Sequence, residues 1–264
     1  MPELPEVETY RRRFEGCALR RRIVGVELTD ARILHETTER ALRGSLTGGR
    51  FESTRRHGKH LFAEATGGVW LYLHFGMSGD LYCGKEVPRF SRFVVRFSKG
   101  DLLAFEDMRL FGRVGLVSDP DSFIARKQLG LDPLDESFGR ERFEERLAGR
   151  RGSIKALLMN QTVIAGLGNL WVDEILFQSG IDPRAATERL SGPARKRIFD
   201  AMHRILRLAI ARQESDRPMP SHYLIENREV AAKCPRCSTG TLRRTVIAGR
   251  TTYFCPKHQM SSRA

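Results

Sequence analysis

The sequence predicts a multidomain α+β protein, with an antiparallel β-sandwich and flanking helices first, a helical domain second and a small Cys-rich tail last. Short β-type runs punctuated by glycine turns fill residues 23–117, the pattern becomes helical after Asp119-Pro120, and three of the five Cys fall within the last 31 residues. Strands grouped ahead of helices indicate the α+β class, because an alternating order would instead feed a parallel sheet.

The opening Pro2-Glu3-Leu4-Pro5-Glu6-Val7-Glu8-Thr9-Tyr10 runs into Arg11-Arg12-Arg13-Phe14. It sets acids in a first helical turn and bases in a last one, as the helix dipole prefers, and Gly16 ends the helix. Val69-Trp70-Leu71-Tyr72-Leu73-His74-Phe75, Phe93-Val94-Val95-Arg96-Phe97 and Leu102-Leu103-Ala104-Phe105 read as strands, with hairpin turns at Gly67-Gly68 and Lys99-Gly100. Several short strands at this spacing favour a sandwich or barrel. The first domain is expected over 1–120 and a linker over 121–136, where Leu131-Asp132-Pro133 leads to an N-cap at Ser137. A helical domain follows over 137–228 and the tail over 229–264. The clearest helix spans about 193–213, with Ile198, Met202, Ile205 and Ala209 on a core face and Arg195, Arg204, Arg207 and Arg212 elsewhere.

Forty-five Lys and Arg against 32 Asp and Glu leave a formal charge of +13, which points to a polyanionic partner. Only eight of the basic residues are Lys, and Arg grips phosphate in a planar fork. A generally Arg-rich proteome would give the same excess on solvated faces, so charge alone does not decide. With 41% apolar and 29% charged residues the chain is globular rather than disordered. Its first thirty residues carry no secretory h-region, and no run reaches transmembrane length. Five Cys is an odd number for a disulfide scaffold; with Cys17 and Cys83 standing alone, a reducing cytoplasm and a metal site fit better.

Cys234-x₂-Cys237 is followed after seventeen residues by Cys255-x₂-His258, and the segment between reads as two strands joined at Ala248-Gly249-Arg250. This is zinc-ribbon spacing: each paired motif offers two ligands from one tight turn, and the hairpin brings the turns together around one structural zinc per chain. The fourth ligand, His258, has a solvated alternative. Arg250, at the hairpin tip, is placed either to reach phosphates or simply to be an exposed Arg.

Removal of Met1 before the small Pro2 would leave a secondary amine at the chain start. An α-amino group titrates roughly two to three units below a Lys, so a useful fraction is unprotonated at neutral pH and can attack a sugar C1′. Glu3 would protonate the ribose ring oxygen if burial raises its pKa, and Glu6 would share that face one turn on. On composition alone the alternative stands that Pro2 and Pro5 start a helix and the acids complement its dipole.

Pro2-Glu3-Leu4-Pro5-Glu6-Val7-Glu8-Thr9 resembles the N-terminal signature of the formamidopyrimidine-DNA glycosylase family. Arg55-Arg56-His57-Gly58-Lys59-His60-Leu61 resembles its catalytic-lysine strand, and His74-Phe75-Gly76-Met77-Ser78-Gly79 its His-Leu-Gly-Met-Ser-Gly loop. Asp107-Met108-Arg109-Leu110-Phe111-Gly112 is similar to its Asp-Pro-Arg-Arg-Phe-Gly segment. Residues 160–174 resemble its helix–two-turn–helix core, and the ribbon ends the chain as the family's does. The resemblance implies a bifunctional glycosylase and abasic-site lyase of base excision repair. Such an enzyme excises 8-oxoguanine and formamidopyrimidines through a Pro2 Schiff base, with Glu3 as acid, Lys59 assisting and β,δ-elimination following. It further implies Met77, Arg109 and Phe111 as residues that fill the void left by an everted nucleotide, and His74, Asn169 and Arg250 as phosphate contacts. Lys155 matches a family lysine near the damaged strand, and Glu174 a buried carboxylate close to the N-terminus; a solvated Lys and a helix-surface Glu are the alternatives. The implied partner is double-stranded DNA with oxidised bases or abasic sites, met by a monomer in the cytoplasm at the nucleoid, with no membrane.

The chain departs from the pattern in three places. Residues 212–233, with Arg217-Pro218-Met219-Pro220, are shorter than the family's loop over 8-oxoguanine; His258 stands for a Cys; and Met108 and His60 replace a Pro and an aromatic. A preference for oxidised pyrimidines or abasic sites, as in the related endonuclease VIII branch, is the nearest rival. A non-catalytic damaged-DNA binder is the rival from another class, and a zinc-ribbon transcription factor accounts for nothing before the tail.

Overall fold

The computed structural model describes residues 1–237 and 239–260, so Ser238 and residues 261–264 of the expected tail lie outside the described residues. The chain forms two compact units, Met1–Gln128 and Leu129–Ala264.

In the first unit, helix α1 (Leu4–Ala18) precedes strands β1 (Ile23–Leu28) and β2 (Leu34–His35), helix α2 (Glu39–Leu46) and strands β3 (Phe51–His57), β4 (His60–Ala65) and β5 (Trp70–His74). Strands β6 (Gly79–Gly84), β7 (Ser91–Phe97), β8 (Leu102–Asp107) and β9 (Arg113–Val117) and helix α3 (Pro120–Arg126) complete it. A four-stranded sheet has the order β1-β7-β8-β6 and a five-stranded sheet the order β2-β9-β5-β4-β3. All neighbours are antiparallel except β2 and β9, which run parallel. Leu61, Leu71 and Leu73 of one sheet and Phe93, Val95, Leu103 and Phe105 of the other share one buried core. Alternation of side chains across a strand is what permits each sheet to commit one face to that core. The expected sandwich with flanking helices is thus present.

Helix α1 runs past Gly16 because Phe14 and Ala18 are fully buried, and Phe14 meets Phe51 edge-on at 4.9 Å. Burial of that apolar face outweighs the roughly 1 kcal/mol helix cost of one glycine. The expected linker is partly a helix: α3 is capped by Asp119, whose carboxylate accepts the Ser122 N–H, and its Phe123 packs against Phe62 and Tyr72. Cys17 and Cys83, expected to stand alone, form a disulfide between α1 and β6.

The second unit holds helices α4 (Arg140–Leu147), α5 (Ile154–Met159), α6 (Asn169–Ser179) and α7 (Gly192–Glu214), then strands β10 (Arg243–Ile247) and β11 (Arg250–Phe254). Helix α4 is capped at Gly139 rather than Ser137, whose hydroxyl instead accepts from Arg142. Ile198, Met202, Ile205 and Ala209 of α7 are buried as expected. The residues of α6 from Trp171 to Ser179 are all buried, which makes it the central helix of the unit. A two-residue turn, Ala248-Gly249, closes the β10–β11 hairpin with both φ values positive (49° and 70°), the geometry that suits the twist of paired strands. Among the described residues no helix is long and apolar enough to cross a membrane.

Candidate active site and metal centre

Helix α1 brings the chain start to a defined place. Met1 is exposed, Pro2 half-buried and Glu3 buried at 2% exposure. The Glu3 N–H donates to Glu6 Oε2 at 2.8 Å and the Glu3 carboxylate accepts the Glu6 N–H, a reciprocal capping box. Both carboxylates therefore occupy the first turn of α1 beside Pro2.

Glu8, one turn on, joins this helix to the hairpin that bears Lys59. Its carboxylate accepts from Arg11 Nη2 at 2.7 Å, Arg12 Nε at 3.0 Å and Arg56 Nε at 3.0 Å, and Arg56 Nη1 donates to Gly58 O at 3.2 Å. Burial pushes the Glu8 pKa up, but the bonds and charges of Arg11, Arg56 and Arg12 outweigh it and hold the group at about 2. Gly58-Lys59 is the two-residue turn between the paired His57 and His60, with Gly58 at φ +57°. In the sequence Glu8 is one of several acids that complement the helix dipole; its i+3 and i+4 arginines are local, whereas its partner on β3 lies 48 residues away.

His74 ends β5, where its Nδ1 accepts the Gly76 N–H at 3.2 Å. Burial, with the Lys59 and Arg113 charges nearby, lowers its pKa to about 4, so at neutral pH the ring is neutral and Nε2 carries the proton. His60 fills the aromatic place it replaces: its ring lies 5.7 Å from Tyr72, 5.1 Å from His74 and 5.6 Å from Phe123, and Nδ1 meets the Tyr72 hydroxyl at 3.2 Å. Burial and the neighbouring His74 push its pKa well down, so it serves as an uncharged ring.

Met77 is 44% exposed and Phe111 48%, on the loops after β5 and β8, and the exposed Arg109 guanidinium lies 5.0 Å from the Phe111 ring. Large apolar side chains presented to water beside a cation are uncommon in a core-forming role and suit a wedge.

In the second unit, Gln161 spans the α5–α6 connection, donating to Met159 O and Leu167 O and accepting from the Gly166 N–H. Asn169 opens α6 and donates through Nδ2 to Thr251 O at 3.0 Å; Arg250 is exposed at the hairpin tip. Lys155, expected at the damaged strand, is instead fully buried, with Nζ 2.6 Å from both Asp173 Oδ1 and Thr252 Oγ1. A desolvated ammonium needs such partners, and they commit Lys155 to holding β11 against α6. Asp173 and Thr252 were missed because they lie 18 and 97 residues away in sequence. Glu174 is buried and accepts the Leu224 N–H at 3.1 Å, the Ile225 N–H at 2.7 Å and the Gln178 amide at 2.9 Å. Burial raises its pKa against those bonds.

The thiols of Cys234, Cys237 and Cys255 lie within 4.8 Å of one another, close enough to hold a metal ion. Cys237 and Cys255 sulfurs are 3.7 Å apart, matching the ~3.8 Å edge of a tetrahedron with Zn–S bonds of about 2.3 Å. Gly240 makes this possible: a Cβ there would stand 2.4 Å from the Cys255 sulfur and 2.7 Å from that of Cys237. The His258 ring is outside the thiol cluster, with Nε2 2.8 Å from Phe177 O.

Comparison with known proteins matches residues 1–114 to the formamidopyrimidine-DNA glycosylase N-terminal domain and residues 129–219 to the H2TH domain of the same glycosylase. A formamidopyrimidine-DNA glycosylase of Solibacter usitatus is 35% identical over 269 residues, covering 98% of this chain and 99% of the relative. A solved MutM structure in complex with DNA containing carbocyclic 8-oxo-G is similar at a TM-score of 0.87 and 32% identity, covering 98% of this chain and 100% of that one. The wild-type Lactococcus lactis enzyme bound to DNA containing N7-benzyl-Fapy-dG is similar at 0.87 and 31%, with the same coverage.

Glu8→Ala removes the carboxylate shared by Arg11, Arg12 and Arg56 and is expected to cost about 3–5 kcal/mol in urea unfolding at pH 7. Because the folded-state pKa of Glu8 lies at about 2, below the ordinary 4.5, its stabilisation is complete above pH 4.5 and lost as pH falls toward 2. The difference between wild type and Glu8→Gln should therefore shrink over that window; a constant difference would show that ionised Glu8 is not the source.

Proposed function

The chain belongs to the formamidopyrimidine-DNA glycosylase family, and we propose that it is a base-excision-repair DNA glycosylase that acts through Pro2. Its substrate is duplex DNA carrying 8-oxoguanine or formamidopyrimidines, and it works as a monomer. The observation that carries this reading is the chain start, where half-buried Pro2 directly precedes the buried Glu3, whose N–H is held by the half-buried Glu6 carboxylate.

Once Met1 is removed, the Pro2 nitrogen is a secondary amine. Attack on C1′ of the everted nucleotide displaces the base, which leaves with the proton the amine gives up, and Glu3 gives a proton to O4′ as the C1′–O4′ bond breaks and the iminium forms. The resulting iminium makes the C2′ protons acidic, so the 3′- and then the 5′-phosphate leave in turn. Lys59, on the hairpin that Glu8 secures, supplies a cation to the departing phosphate. Met77 and Phe111 fill the vacated space and Arg109 pairs with the orphaned base. His74 Nε2–H, the second N–H of Asn169 Nδ2 and Arg250 hold phosphates, while Lys155 positions the strand that carries Arg250. Glu174 anchors the segment around Leu224 rather than moving a proton.

Cys234, Cys237 and Cys255 would hold a structural zinc, and His258, whose ring lies outside the thiol cluster, would have to turn Nδ1 toward it to serve as the fourth ligand. Its Nε2 is already engaged by Phe177 O, the outer contact that fixes ligating histidines. Bound there, zinc stabilises the hairpin and takes no part in the reaction.

A second reading, with oxidised pyrimidines or abasic sites preferred, is favoured by residues 212–233. That segment is short and tied down, with Gln178 Nε2 donating to His222 O at 3.2 Å and the Met219 N–H to Glu226 at 3.0 Å.

Glu3→Gln is expected to lower excision of 8-oxoguanine opposite cytosine by about 10²–10⁴-fold while duplex affinity changes by less than about threefold. Unchanged excision would remove Glu3 from the mechanism, and faster excision of an oxidised pyrimidine by the wild type would select the second reading. For the metal, His258→Ala should lose zinc to a chelator about 10–100-fold faster than wild type; an equal rate would exclude His258 as a ligand.

A further inference from the structure

Asp107, the last residue of β8, is fully buried yet makes no ion pair among those described. Its Oδ1 accepts from Ser78 Oγ at 2.6 Å and from the Arg109 N–H at 3.1 Å, and its Oδ2 accepts from the Gly112 N–H at 2.6 Å. Ser78 belongs to the loop of Met77, and Arg109 and Gly112 bracket the loop of Phe111. The Arg109 N–H also reaches Ser78 Oγ at 3.2 Å, which closes the network between the two loops. Their backbones touch as well: a Cβ on Gly76 would lie 2.4 Å from the Phe111 carbonyl carbon and 2.6 Å from the Gly112 nitrogen. Leu110, between the two gripped amides, is held at φ +57°, a conformation leucine rarely adopts without support.

From this network we infer that Asp107 is a positioning residue that sets opposite-base discrimination, by fixing the Met77 loop and the Arg109–Phe111 loop as one rigid wedge. The inference rests on the proposed reading of those three side chains. An arginine reads a base edge selectively only when its backbone is held to a fraction of an ångström, and loops ordered in advance spare that ordering on binding. A buried carboxylate with three donors is a strong acceptor. In Asp107→Asn an amide NH₂ would face either the Gly112 N–H or the Ser78–Arg109 pair, so one loop is released while the volume is kept.

Asp107→Asn and Ser78→Ala are compared with wild type in two assays. Borohydride trapping on a single-stranded abasic oligonucleotide needs the nucleophile but offers no orphaned base. Excision from 8-oxoguanine duplexes opposite cytosine and opposite adenine needs the wedge. Asp107→Asn should trap on the single strand within about twofold of wild type, lose about tenfold or more in excision opposite cytosine, and bring the cytosine-to-adenine ratio toward one. Ser78→Ala should move that ratio in the same direction by about threefold, and it carries the test alone if Asp107→Asn does not fold. A parallel fall in both assays with the wild-type ratio retained would reduce Asp107 to a folding residue and overturn the inference. Wild-type excision indifferent to the opposite base would also overturn it while leaving the function intact. A wild type that neither traps nor excises would overturn the functional reading itself.

Discussion

Glu8 is the contact on which the first unit's chemistry depends. It pairs α1 with Arg56 of β3, and both side chains are under 10% exposed. Remove it and helix α1, which begins just after Pro2, and the Lys59 hairpin lose this charge-assisted tie. Such a pair contributes through what its loss would leave behind, since an unpartnered buried charge costs far more than the intact pair stabilises. The same logic recurs in the second unit, where Lys155 and Asp173 pair at full burial and so fix β11 beside α6.

A division of labour follows. Residues that meet DNA in the proposed mechanism, such as Met77, Arg109, Phe111 and Arg250, are exposed on loops or a hairpin tip. The residues that place them, Asp107, Lys155 and Asp173, are buried and fully engaged. Contacts to phosphate confer little specificity by themselves, so precision has to come from this buried framework.

Much of this was legible in the sequence because its signals are local. The glycine turns, the alternating runs and the apolar face of α7 depend on neighbours a few residues away, and the paired Cys motifs announced the cluster of three thiols. The six motif blocks, the start of the chain among them, pointed to the family, which the comparisons bear out. What escaped were long-range pairings between residues of ordinary type. Lys155 was expected near the damaged strand, or in the alternative as a solvated helix lysine, because its partners sit on α6 and β11. Cys17 and Cys83 looked solitary because 66 residues separate them. Gly16 read as a stop, since the burial of Ala18 that carries the helix through it is a tertiary fact. Met77 and Phe111 show the reverse, for hydrophobicity alone assigns them to a core and only their loops expose them.

The central claim is that the chain's own N-terminus is the nucleophile. Borohydride reduction of the mature protein on an abasic-site duplex, followed by mass mapping of the cross-linked peptide, tests it most directly. The account predicts a single adduct on Pro2, absent from a chain that retains Met1. An adduct on Lys59, or one on the Met1-retaining chain, would contradict it.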